Sequence, residues 1–143
     1  MKTPKLLVIG LVGLVALLSG CASVSEQATN VFPEPAPGKA LIYFFREKKF
    51  VGAMVSYNVK ENGRIIGAVA NGTYFFIQAD PGVHTYTAAT EAESSRTLTV
   101  AAGQTHYIEC GVEIGMFAGR PALKVASEAE ARSVLPRLTY ATK

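Results

Sequence analysis

Apolar and polar positions alternate through most of the chain after residue 39. Residues 40–45, Ala-Leu-Ile-Tyr-Phe-Phe, are apolar on both alternating faces, which predicts a strand buried on both sides. The polar run Arg-Glu-Lys-Lys at 46–49 ends it. Residues 54–60 place Val55, Tyr57 and Val59 on one face and Ser56, Asn58 and Lys60 on the other. Three turn signals follow: Asn62-Gly63, Asn71-Gly72 and Asp80-Pro81-Gly82. They delimit strands at 64–69, 73–78 and 83–90, and tight turns between consecutive strands predict an antiparallel meander. Further strands are predicted at 96–101, with Leu98 and Val100 inward, and at 105–114, with Ile108, Cys110 and Val112 on one face. A glycine-bounded loop at 115–119 leads to a short strand at 122–126. Ser127 and Glu130 then form a capping box for a helix that Pro136 stops. The fold class is mainly β: an antiparallel sandwich or small barrel of about seven to eight strands with one short C-terminal helix. It spans 38–136, with 137–143 as a frayed tail.

The beginning of the chain follows another rule. Lys2 and Lys5 precede 13 residues, 6–18, that are all apolar or glycine. Crossing a bilayer takes roughly 20 apolar residues, so this segment is too short to span and has the form of a secretory signal peptide, 1–20. It closes on Leu18-Ser19-Gly20-Cys21, which resembles the lipobox of bacterial lipoproteins. The resemblance implies cleavage between Gly20 and Cys21, a diacylglyceryl group on the Cys21 sulfur and an acyl chain such as palmitate on its amine. Three chains hold a protein at a membrane surface stably, whereas one holds it marginally. Ala22 and Ser23 follow the cysteine, and the absence of Asp there favours the outer membrane in the lipoprotein sorting pattern, with the domain facing the periplasm. Residues 21–37, with Pro33, Pro35 and Pro37, read as a flexible tether in extended geometry, on which Val31 and Phe32 are the positions able to dock on the domain.

Charge and composition narrow the chemistry. The chain is 49% hydrophobic and 17% charged, which excludes a disordered polyelectrolyte. Its net charge of +3 leans on Lys2 and Lys5. Without them 12 basic residues face 11 acidic ones, and no basic patch argues for nucleic acid. Two cysteines cannot build a disulfide framework or a four-thiolate zinc site. A Cys21–Cys110 disulfide is one alternative, but it competes with lipidation for the same sulfur. His106 and Cys110 lie four residues apart on one strand face, about 13 Å, too far to share a metal ion. Glu109 and Glu113 stand equally far apart, beyond the span of paired glycosidase carboxylates. No nucleophile elbow or other catalytic signature is present, so no metal, cofactor or catalytic residue is expected.

A series of short motifs carries a second resemblance. Residues 40–46 with Val51-Gly52 come first, then Asn62-Gly63 and Asn71-Gly72-Thr73-Tyr74-Phe75. Pro81-Gly82-Val83-His84, Ala102-Gly103-Gln104-Thr105-His106-Tyr107 and Gly119-Arg120-Pro121-Ala122-Leu123 complete it. In this order they resemble a domain of unknown function found in bacterial lipoproteins and small envelope proteins. More broadly the series is similar to PEGA-like and prealbumin-like surface domains. The resemblance implies a small β-sandwich without enzymatic activity. The expected function is therefore a lipid-anchored envelope protein with a binding or scaffolding surface, whose partners are the membrane and an envelope protein. The alternative is a ligand-binding or enzymatic module. It requires Arg46, His84, His106 and Arg120 to converge in one cleft, with Tyr74 as a further surface or cleft residue.

Overall fold

The computed structural model describes residues 30–141. The signal segment, the Gly20/Cys21 cleavage and lipidation site and the first part of the tether lie outside the described residues. Among the described residues, nine strands form two sheets: β1 Ala40–Phe45, β2 Tyr57–Glu61, β3 Arg64–Val69, β4 Thr73–Ala79, β5 Gly82–Ala89, β6 Glu93–Val100, β7 Thr105–Ile114, β8 Gly119–Ala126 and β9 Thr139–Tyr140. Helix α1, Glu128–Val134, and a 3-10 turn, Leu135–Arg137, lie between the last two strands. One sheet has the order β8-β7-β1-β4-β9 and the other β3-β2-β5-β6, a β-sandwich with one short helix near its C-terminus.

All six β1 side chains are buried, because the first sheet is covered on both faces. Ile42, Phe44, Phe75, Ile108, Cys110 and Leu123 face the second sheet and meet Val59, Val69, Tyr86, Leu98 and Val100. Leu41, Tyr43, Phe45, Tyr74 and Tyr107 point the other way and pack under Ala131, Leu135 and Leu138. The capping box forms: Ser127 Oγ accepts from the Glu130 amide, and the Glu130 carboxylate accepts from the Ser127 amide.

The expected meander is replaced by a different connectivity. Asn62 (φ 49°) and Gly63 (φ 76°) both take positive φ, as a type I′ turn needs, and β2–β3 is a hairpin. At Asn71-Gly72 only the glycine does (φ 76°), and the turn carries the chain from one sheet to the other. Asp80-Pro81-Gly82 carries it back. These two turns are corners, so β4 pairs antiparallel with β1, and β1 also pairs in parallel with β7. A turn signal fixes local φ but not which strand the next one pairs with. The C-terminal tail also differs from expectation. Thr139 and Tyr140 add a parallel edge strand beside Thr73 and Tyr74, and Tyr140 stacks on Phe76 at 5.2 Å.

The register defines two ends. The upper end holds the Ala40↔Ala79, Leu41↔Thr105 and Gly82↔Val100 pairs. The lower half holds Phe45↔Tyr74, level with Glu109 in the middle of β7, and beyond it Ala89↔Glu93 and Ile114↔Gly119. Residues 30–37, the described part of the expected tether, are laid along the outer face of the first sheet. Phe32 stacks on Tyr74 at 5.4 Å, and the Tyr74 hydroxyl bonds both the amide and the carbonyl of Val31. The Tyr43 hydroxyl donates to the Pro33 carbonyl, and Gln78 bonds the Glu34 carbonyl and the Ala36 amide. An extended Pro-rich segment leaves its carbonyls free for such donors. It runs from Tyr74, level with the middle of β7, to the upper end at Gln78.

Candidate functional site

The candidate residues do not share one cleft. His106 pairs with Ile42 and His84 with Leu98, near the upper end. Arg46 directly follows β1 and Arg120 pairs with Glu113, both at the lower end. The separation follows from register, since four residues of strand span about 13 Å. Tyr74 is fully buried in the outer core. Glu109 and Glu113 are held apart as well, with Lys49 beside the first at 3.6 Å and Lys124 beside the second at 3.9 Å.

At the upper end, His84 Nδ1 lies 2.5 Å from Glu61 Oε1 and Nε2 lies 2.7 Å from the Asp80 carbonyl. Both neighbours are acceptors, so only the imidazolium satisfies both ring nitrogens. The Glu61 hydrogen bond accordingly raises the His84 pKa above its ordinary value, with burial opposing. Lys39, 2.5 Å from Asp80, holds that carboxylate below its usual range. His106 contacts Gln104 Oε1 at 3.0 Å. Among the described residues, no three His, Cys, Asp or Glu side chains gather as a metal site. Cys110 is a free, fully buried thiol whose pKa burial pushes up, the behaviour of a small hydrophobe.

At the lower end, Arg46 is the one buried charged residue among those described, 3% exposed. Its guanidinium donates to the carbonyls of Val55 and Gly52 and has no carboxylate within ion-pair distance among the described residues. Burial lowers its pKa. The planar fork thus clamps the loop 46–56 across two of its carbonyls. That clamp explains why β2 begins at Tyr57 and not at residue 54. Gly52 is required here: its φ is +73°, and a Cβ on it would lie 2.9 Å from Val112 Cγ1. A Cβ on Gly119 would lie 2.8 Å from Val55 Cγ2, so the 46–56 and 115–118 loops sit side by side. Thr90 Oγ1 donates to the Gly119 carbonyl, and Glu91 lies 3.3 Å from Arg120, which ties in the β5–β6 turn. Sequence reasoning missed this assembly, although Val51-Gly52 stood out as a motif. A groove of about 300 Å³ on the outer face, between residues 32–34 and the helix, has Tyr43 and Tyr107 stacked at 5.5 Å in its wall and Arg132 at its rim.

The arrangement therefore has two distinctive surface features, the aromatic groove and the clamped loop end, with the histidines toward the opposite end from both arginines. Residues 36–121, more than half of the chain, match a family described as protein of unknown function (DUF2846). No curated protein matches the chain.

Proposed function

The chain belongs to the DUF2846 family of proteins of unknown function, and from that premise we propose that it is a lipid-anchored bacterial envelope lipoprotein with a non-enzymatic binding or scaffolding sandwich. The observation that carries the reading is the N-terminal series: Lys2 and Lys5, the apolar stretch 6–18, and Leu18-Ser19-Gly20-Cys21. The Cys21 thiol is the nucleophile for lipid transfer, and the small residues before it suit a peptidase that grips the backbone closely. With no Asp after the cysteine, the protein resides at the outer membrane and faces the periplasm. Its likeness to PEGA-like and prealbumin-like surface domains belongs to the same reading. The scattered placement of Arg46, His84, His106 and Arg120 supports a binding role over a catalytic one, because acid, base and nucleophile must lie within hydrogen-bond reach of one substrate. Metabolic labelling with a fatty-acid analogue tests the anchor. Cys21→Ser leaves an unlabelled precursor of higher mass, because serine lacks the thiolate. Label retained in the variant overturns the lipoprotein reading.

A further inference from the structure

Residues 31–36, Val-Phe-Pro-Glu-Pro-Ala, lie on the outer face as a ligand lies on a receptor. The face reads their backbone at five points: the Tyr74 hydroxyl at both polar groups of Val31, the Tyr43 hydroxyl at the Pro33 carbonyl, and the Gln78 amide at the Glu34 carbonyl and the Ala36 amide. One side chain is read as well: the Phe32 ring stacks within 7° of parallel on Tyr74. Aromatic rings whose hydroxyls donate to the carbonyls of an extended proline-rich chain are the elements of polyproline recognition.

The segment is separable from the domain it covers. Neither core contains a residue before Ala40, and Val31 and Phe32 remain 41% and 46% exposed. A single tight turn folds it back onto β1. The Lys39 amide donates to the Ala36 carbonyl at 2.9 Å and Gly38 has φ +74°, the type II arrangement of proline followed by glycine. A segment held by one turn and by bonds at the surface opens without unfolding the rest.

The resident segment also fills its surroundings incompletely. The groove of about 300 Å³ between it and the helix stays open beside Tyr43 and Tyr107, and Glu34 brings a carboxylate to that aromatic wall. An apolar side chain at the position of Glu34 gains burial there that a carboxylate does not. A second copy of this chain offers only the identical segment, held in its own turn, so exchange between copies makes the contacts that it breaks. A partner whose segment carries an apolar residue at that position gains the groove in addition.

We propose that the seat formed by Tyr43, Tyr74 and Gln78 is a binding site for an extended aromatic–proline segment of a partner protein, and that residues 31–36 are an autoinhibitory strap which that segment displaces. This rests on the binding role proposed above and not on the lipid. The short connection through Pro37 and Gly38 keeps the strap at high effective concentration, and the partner's apparent affinity falls with the fraction of molecules in which the strap is closed.

The test uses two fluorescein-labelled peptides, the chain's own Asn-Val-Phe-Pro-Glu-Pro-Ala-Pro and the same peptide with leucine in place of glutamate. Fluorescence anisotropy reads their binding to full-length protein in detergent, with protein-free micelles as background. Intact mass of the same samples reads acylation, and thermal unfolding checks the fold. Gly38→Val opens the strap through its turn alone, because φ is +74° and a Cβ there would meet nothing within 4 Å; Phe32→Ala opens it by removing the stack. The leucine peptide is expected to bind both variants several-fold more tightly than the parent, and several-fold more tightly than the glutamate peptide does. Gln78→Ala added to Gly38→Val is expected to weaken that binding several-fold. No binding above background to either folded variant overturns the site. So does equal binding to parent and variants, or binding indifferent to Gln78→Ala, since either places the peptide elsewhere. Equal affinity for the two peptides removes the partner's advantage and overturns the partner assignment. A Gly38→Val protein that dimerises and excludes both peptides gives the seat to a second copy and overturns it too. Unacylated protein that binds the peptide as expected overturns the lipid anchor and supports the seat, whereas acylated protein without peptide binding overturns the seat and leaves the anchor standing.

Discussion

Replacing Arg46 with Met removes both donors of the clamp while keeping an apolar stem of similar length in the same space. The two bonds come from a charged donor and are worth about 1.5–3 kcal/mol each before any offset. Two effects reduce that sum. The Gly52 carbonyl also accepts from the Val55 amide at 3.0 Å, and both acceptors lie in a half-buried loop that water can reach. The guanidinium also lacks a counter-ion among the described residues, so its removal relieves a desolvation penalty. The net expected loss is about 2–3 kcal/mol, which for a domain of this size lowers the unfolding midpoint by about 10–20 °C. Arg46→Lys keeps the charge but offers one point donor where the fork spans two carbonyls, so about half of the loss is expected. Circular dichroism of the purified chain through a thermal ramp reads the global effect. Timed trypsin digestion reads the local one, because Lys48 and Lys49 lie in the clamped loop and their peptide bonds become available when it opens. An R46M midpoint equal to or above that of the parent, with unchanged cleavage after Lys48 and Lys49, refutes the clamp.

Three further outcomes are expected. Gly72→Val costs about 1–3 kcal/mol, since φ is +76° and a Cβ there already approaches Lys48 Cβ to 3.3 Å; an unchanged denaturation midpoint excludes the corner. A chain starting at Gly38 still folds without lipid, disulfide or metal, because neither core contains a residue before Ala40. It is less stable than a chain starting at Asn30 by about 1–2 kcal/mol, as paired denaturant titrations in reducing, chelating buffer will show. His84 has its pKa raised in the folded state, so its contribution is fully present below the unfolded value of about 6.5 and is lost as pH rises through the folded value. Unfolding free energies measured across that window should fall with pH in the parent and lose that component in His84→Gln; identical pH profiles exclude the Glu61–His84–Asp80 arrangement.

The sequence by itself determined what depends on near neighbours. Alternation over 105–114 delivered β7 residue for residue, the two-faced apolar run delivered β1, and Ser127 with Glu130 delivered the helix start. Each rests on side-chain period or on a hydrogen bond within one turn, and a reader of the chain has that information. The Pro-rich stretch was legible as extended, but its partners, Tyr43, Tyr74 and Gln78, lie up to 44 residues away. Only the tertiary structure decided pairing and ends. Asn62-Gly63 and Asn71-Gly72 look alike as dipeptides, yet one closes a hairpin and the other turns a corner. The difference is set by what β4 must bury: Tyr74 beneath the helix side and Phe75 against Phe44, which places it beside β1. The same pairing sends His84 and His106 to one end and Arg46 and Arg120 to the other. Arg46 looked like the polar close of a strand, and it became a buried clamp because the loop after it folds back over the open end of the core. That contact joins residues 46, 52, 55 and 112 through the packing of two sheets, and no local pattern encodes it.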